Sequence, residues 1–96
     1  MNRRDFLVTY DICEYKRLRA VFKTMRAYGD HIQYSVFRCS LTKTEMTEMM
    51  AKLSSLLHHH VDQVLIFHLG PLPEKKPRVR PIGRPYEAAS LGSRVL

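Results

Sequence analysis

The chain has 96 residues, enough for one small domain, and sets 16 Lys and Arg against 9 Asp and Glu for a formal net charge of +7 and a pI of about 9.8. That surplus favours a polyanionic partner, nucleic acid foremost, and says nothing about fold. No run approaches the length of a membrane-spanning helix, and Met1 to Asp5 leads straight into a strand pattern with no signal peptide, so the chain is expected in the cytoplasm, away from membranes.

Phe6 to Ile12 is the first and most decisive element. Six of these seven residues are apolar, aromatic or β-branched, the pattern of a strand buried on both faces in the middle of a sheet. Its single charge, Asp11, comes at the exit of the strand. A carboxylate there is held by rigid backbone yet reaches water, which suits a metal ligand or a base. Asp11 followed three residues later by Glu14 also has the spacing of a capping box, so a helix-capping role stays open beside the chemical one.

A helix is predicted from Glu14 or Tyr15, with Leu18, Val21, Phe22, Met25 and Tyr28 forming an apolar stripe and Gly29 ending it. Lys16, Arg19, Lys23 and Arg26 recur on the opposite face, with Arg17 nearby and no acid after Glu14. Such a stripe is either a solvated face or a set of phosphate contacts, and the missing acids lean towards phosphate. In the next stretch Ile32, Tyr34 and Val36 share one phase of a period-two pattern, while Phe37, Cys39 and Leu41 share the other. The slip implies two short strands with a tight turn or bulge near Tyr34 to Val36.

Thr42 to Glu45 is a capping box that opens a second helix, whose stripe is Met46, Met49, Met50, Leu53, Leu56 and Leu57. His58, His59 and His60 are expected to close that helix beside its negative end, because adjacent helical residues diverge and cannot converge on one metal. Val64 to Leu69 is another apolar strand, ended by Gly70-Pro71. All five prolines then fall between Pro71 and Pro85, among Lys75, Lys76, Arg78, Arg80 and Arg84. This reads as an extended basic segment with a short strand near Val79 to Ile82 that needs an edge to pair with. Residues 86–96 carry no signal. Cys13 and Cys39 match neither a metal spacing nor a disulfide framework, and free thiols in a reducing compartment are expected.

The order strand, helix, strand, strand, helix, strand folds by right-handed crossovers into an α+β, ferredoxin-like sandwich: an antiparallel sheet with both helices on one face. Residues 1–70 make that core and residues 71–96 the basic C-terminal segment. The uncovered sheet face would be an apolar liability for so small a domain, so a homodimer that pairs sheet to sheet is expected, with the C-terminal segment able to add a strand to the partner's sheet.

Tyr10-Asp11-Ile12, Lys16-Arg17, Tyr28-Gly29 and the string Ile32-Gln33-Tyr34-Ser35-Val36-Phe37 together resemble the small CRISPR-associated protein two family, over roughly residues 6–70. The resemblance implies a ferredoxin-like homodimer of CRISPR adaptation, or spacer acquisition. Such a dimer would be a metal-dependent endonuclease on RNA or duplex DNA, and a bridge between dimers of the larger CRISPR integrase. It implies Asp11 as the magnesium or manganese ligand, with Tyr10 beside it as the catalytic pair. Arg17 and Arg19 would contact phosphates, and Ser35 and Phe37 would shape the site. Lys16, Lys23, Arg78 and Arg80 extend the expected nucleic-acid surface by charge alone. His31 stands where family members often have arginine, which would weaken phosphate contact at neutral pH. Two alternatives remain: a non-catalytic DNA-binding adaptor, and a single-stranded RNA-binding module of the same fold.

Overall fold

Alternation along one strand fixes where the core lies. In the computed structural model, which describes residues 2–69 and 79–86, Phe6, Val8 and Tyr10 of β1 (Arg4–Asp11) turn to one side of the sheet, while Leu7, Thr9 and Asp11 turn to the other. The remaining elements are α1 (Tyr15–Arg26), β2 (Asp30–Gln33), β3 (Val36–Leu41), α2 (Lys43–Leu56), β4 (Gln63–His68) and β5 (Val79–Gly83). They form one antiparallel sheet in the order β2-β3-β1-β4-β5, with β1 between β3 and β4. The expected ferredoxin-like arrangement is therefore present, with a fifth strand added.

Both helices cover the same face. Val21 and Met25 from α1 and Met46, Met49 and Leu53 from α2 share one buried cluster with Val8, Tyr10, Phe37, Cys39 and Ile66 from the sheet. The apolar stripes were readable because a helix repeats every three to four residues. On the opposite face Leu7, Val36, Leu65, Phe67 and Val79 are half-buried; Tyr86 meets the Phe67 ring edge-on at 6.5 Å, and no described helix or strand covers the face. β1 is thus central as expected, but it is deeply buried on one side only.

The phase slip resolves into a two-residue turn, Tyr34-Ser35, that joins β2 to β3 through the pair Gln33 and Val36. Tyr34 takes the left-handed backbone (φ 45°) that such a turn demands, although Asn or Gly would adopt it at lower cost. Gly29 is needed for a different reason: a Cβ there would collide with Cys39 Sγ and lie 2.6 Å from the Arg38 carbonyl oxygen.

Two details differ from the sequence expectation. α2 ends at Leu56, so His58 to His60 lie in the turn after the helix, where His59 Nε2 donates to the Ser54 carbonyl at 2.8 Å. β5 finds the edge it needs on β4 of its own chain, with Val64 opposite Ile82 and Ile66 opposite Arg80. No helix among the described residues is long and apolar enough to cross a membrane.

Candidate active site

Asp11 ends β1 opposite Gln63 of β4, and its side chain is 67% exposed. Arg84 Nη2 donates to Asp11 Oδ2 at 3.0 Å, while Nη1 of the same guanidinium donates to the Val61 carbonyl at 3.0 Å. Gly83 sets this up. At φ 90° it bends the chain so that Arg84 N–H reaches the Asp62 carbonyl at 2.7 Å, and a Cβ at Gly83 would strike that same oxygen.

Asp11 is not the helix cap. That role belongs to Glu14, whose carboxylate accepts from Lys16 N and Arg17 N at 3.0 Å each. Those two backbone hydrogen bonds pull its pKa below the ordinary value. The capping alternative for Asp11 fails because its carboxylate is taken up by Arg84, and Glu14 stands at the residue that immediately precedes the helix.

Tyr10, the expected companion of Asp11, projects to the other face. Its ring is buried and stacks on Phe37 at 6.2 Å between centroids, and burial raises the pKa of its hydroxyl, which keeps its proton. Phe37 is wholly enclosed, packed against Phe22 and His31 as well. Neighbours in a strand alternate sides, so adjacency in sequence separates the side chains of Tyr10 and Asp11. Ser35 sits in the β2–β3 turn, where its carbonyl accepts from Tyr10 N at 3.1 Å. His31 stays exposed, but its Nε2 donates to the Tyr34 carbonyl at 2.6 Å and its ring meets Phe22 edge-on.

Arg17 is committed elsewhere. Its Nε donates to Asp62 Oδ2 at 2.7 Å and its Nη2 reaches Oδ1 at 3.4 Å. Asp62 is fully buried and also accepts from Cys13 N and His58 N, each at 2.9 Å. Burial by itself would raise the pKa of this carboxyl, but the bonds from Arg17, Cys13 and His58 prevail and bring it down to about 2. Nothing in the sequence pattern singled out Asp62. Its only early signal is an acid placed directly before an apolar strand.

The other expected cations divide. Arg19 and Lys23, with Arg26, line a groove of about 760 Å³ between α1 and the β2–β3 turn, together with Tyr10, Tyr34 and Ser35. The Arg19 and Arg26 guanidiniums lie over the rings of Tyr15 and Phe22, at 5.8 and 6.0 Å from the centroids. No carboxylate among the described residues pairs with any of the three. Lys16 is exposed at the start of α1. Arg80 sits on β5 opposite Ile66, level with Val8 of β1, and Arg78, Lys75 and Lys76 lie outside the described residues.

Magnesium prefers oxygen ligands and keeps several waters, so one or two carboxylates suffice when substrate phosphates help. Among the described residues no three His, Cys, Asp or Glu side chains converge. Asp11 is a lone carboxylate with a guanidinium already on it. The described residues of one chain therefore do not by themselves fit a divalent metal.

Comparison with known proteins accounts for the fold. Residues 5–75 match the family model described as CRISPR associated protein Cas2. A CRISPR-associated endoribonuclease Cas2 of Geobacter sulfurreducens is 39% identical over 82 residues, 85% of this chain and 86% of that protein. A CRISPR-associated endonuclease Cas2 of Halalkalibacterium halodurans is 38% identical over 69 residues, 67% of this chain and 72% of that one. Among solved structures, Streptococcus pyogenes Cas2 at pH 6.5 superposes with a TM-score of 0.65 at 35% identity, covering 69% of this chain and 86% of that chain. A hypothetical protein of Thermus thermophilus shares the fold, with a TM-score of 0.71 at 24% identity over 82% of this chain and 96% of that chain. The chain belongs to the CRISPR-associated Cas2 family.

Proposed function

We propose that this protein is a Cas2-type endonuclease of CRISPR adaptation that works as a homodimer on the phosphodiester backbone of RNA or duplex DNA. The observation that carries this reading is the placement of Asp11. It sits at the rigid exit of the central strand, exposed, and is relieved of helix capping by Glu14. Relatives named as endoribonuclease and endonuclease give the class of reaction.

A second copy would supply what one chain lacks. Two-fold pairing through the uncovered face of Leu7, Leu65 and Phe67 would bury apolar surface and bring a second Asp11. Two carboxylates with substrate phosphates make an adequate ligand set for magnesium or manganese. Arg19 and Lys23, free of carboxylate partners among the described residues, would hold backbone phosphates, and the surplus of +7 would let the dimer lie along a duplex between integrase dimers. Cys13 and Cys39 as free thiols accord with a reducing, cytoplasmic compartment.

One observation favours a second reading, a non-catalytic adaptor that binds DNA: Arg84 already neutralises Asp11. The deciding experiment is cleavage of labelled RNA and labelled duplex DNA, with and without magnesium, by the wild type and Asp11→Ala. Metal-dependent cleavage by the wild type that disappears in the variant, with binding and dimer mass retained, establishes the nuclease. Equal activity in both, or none in either, leaves the adaptor.

A further inference from the structure

A second hollow, of about 550 Å³, lies on the helix-covered side of the sheet at the end remote from Asp11. Seven residue steps of β1 separate Arg4 from Asp11, roughly 20 Å along an extended strand. The floor is apolar, made by Phe6, Leu41 and Met46. The rim carries three cations from three different elements: Arg4 of β1, Lys43 of α2 and Arg80 of β5. No carboxylate pairs with these cations among the described residues. The one acceptor described for Arg80 is the thioether of Met50, with Nη1 to Sδ at 4.0 Å. A guanidinium that can make five hydrogen bonds is poorly served by one soft sulfur.

His68 completes the hollow. It stands directly across from Phe6 in the β1–β4 ladder and meets that ring edge-on at 5.2 Å, with both imidazole nitrogens buried and without a hydrogen-bond partner among the described residues. A neutral imidazole always presents one donor and one acceptor, and burying both unpaired is unfavourable. A half-turn about the Cβ–Cγ bond would exchange the positions of the ring nitrogens with those of its carbons.

From an apolar floor, a rim of three cations and an imidazole unpartnered among the described residues, we infer that this hollow is a binding site for a nucleoside 5′-phosphate unit. The base would lie over Phe6, Leu41 and Met46, with its polar edge towards His68, and the phosphate would take Arg80, Arg4 and Lys43. Charge-assisted bonds to a phosphate would give Arg80 far stronger partners than the Met50 thioether, its one acceptor among the described residues. The unit can be a free nucleotide or the phosphorylated end of a strand, since both present the same base, sugar and phosphate. The site is separate from Asp11 and does not depend on the nuclease reading.

The test is titration of the full-length protein, followed by amide and imidazole NMR shifts, with AMP, adenosine, inorganic phosphate, a 5′-phosphorylated oligonucleotide and its 5′-hydroxyl twin. We expect AMP to shift His68 and Arg80 and to bind more tightly than adenosine or phosphate alone. Arg80→Gln and His68→Phe should each weaken AMP by about tenfold, the loss of one charge-assisted or one buried polar contact. His68→Phe should meanwhile melt no earlier than the wild type, because it keeps the ring contact and removes two unpaired nitrogens. Preference for the phosphorylated strand over its twin assigns the site to strand ends, and binding of AMP alone assigns it to free nucleotide. AMP bound no better than inorganic phosphate, or equally well by His68→Phe, overturns the proposal.

Discussion

The Arg17 guanidinium and the Asp62 carboxylate form the most enclosed ion pair described in the fold, with Nε 2.7 Å from Oδ2 and the acid fully buried. Cys13 N and His58 N fill the remaining acceptor positions of the carboxylate. One side chain therefore pins the loop after β1, the first turn of α1 and the turn after α2 to the start of β4. Because Cys13 lies two residues after Asp11, Asp62 also fixes the backbone from which Asp11 projects.

Removing that carboxylate should be costly. Asp62→Asn keeps the size of the side chain but disturbs the four hydrogen bonds it accepts from Arg17, Cys13 and His58 and leaves a half-buried guanidinium without its counter-charge. Breaking one partner of a buried pair typically loses about 3 kcal/mol. Urea denaturation should show that drop with an unchanged slope, and Arg17→Met combined with Asp62→Asn should lose less than the sum of the two single changes.

The same pair sets an acid limit on stability. The folded carboxyl of Asp62 ionises at about 2 against an ordinary value of 3.8, so the folded state binds its proton less readily than the unfolded chain. A group whose folded pKa is depressed contributes its full stabilisation above the unfolded value and loses it as pH falls through the folded one. Glu14 and Glu45 are shifted in the same direction. Thermal midpoints measured by circular dichroism should hold steady down to about pH 4 and then fall steeply towards pH 2. Asp62→Asn should start lower and fall less over that interval.

Glu14 and Asp11 should separate in stability before activity is considered. Glu14→Ala removes a cap that holds two N–H groups and should lower stability by about 1 kcal/mol. Asp11→Ala breaks only an exposed ion pair with Arg84, and its midpoint should match the wild type to within about 0.5 kcal/mol. If Asp11→Ala proved as unstable as Glu14→Ala, loss of cleavage in that variant would say nothing about chemistry.

What the sequence made legible follows from which interactions are local. Thr42 and Glu45 meet within one turn of helix, so their capping box was visible as a four-residue string. The strand slip at Tyr34 was visible because period-two alternation changes face abruptly, even without the Asn-Gly signal. Phe6 to Ile12 announced a central strand by composition. Partners far apart in the chain were not legible. Arg17 reads like Lys16 and Arg19 along the helix, and only the folded chain brings Asp62, forty-five residues later, to one of them. Arg84 could not be assigned to Asp11 for the same reason, across seventy-three residues. β5 announced that it needed an edge, but no local rule says which edge it takes.

This division among the basic residues gives a last expectation, about nucleic-acid binding. Each cation that neutralises a phosphate releases counterions and adds about 1 to the slope of log affinity against log salt concentration. Arg19 and Lys23 line the groove beside Tyr34 and have no carboxylate partner among the described residues, whereas both guanidinium nitrogens that Arg17 uses are taken by Asp62. For duplex DNA followed by anisotropy from low to moderate salt, Arg19→Ala and Lys23→Ala should each flatten the slope by about 1 and leave the melting midpoint in place. Arg17→Ala should do the reverse, with the slope kept and the midpoint lowered. A flattened slope in Arg17→Ala with undiminished stability would mean that Arg17 leaves Asp62 to take a phosphate when nucleic acid binds, and the pair would then be a switch instead of a strut.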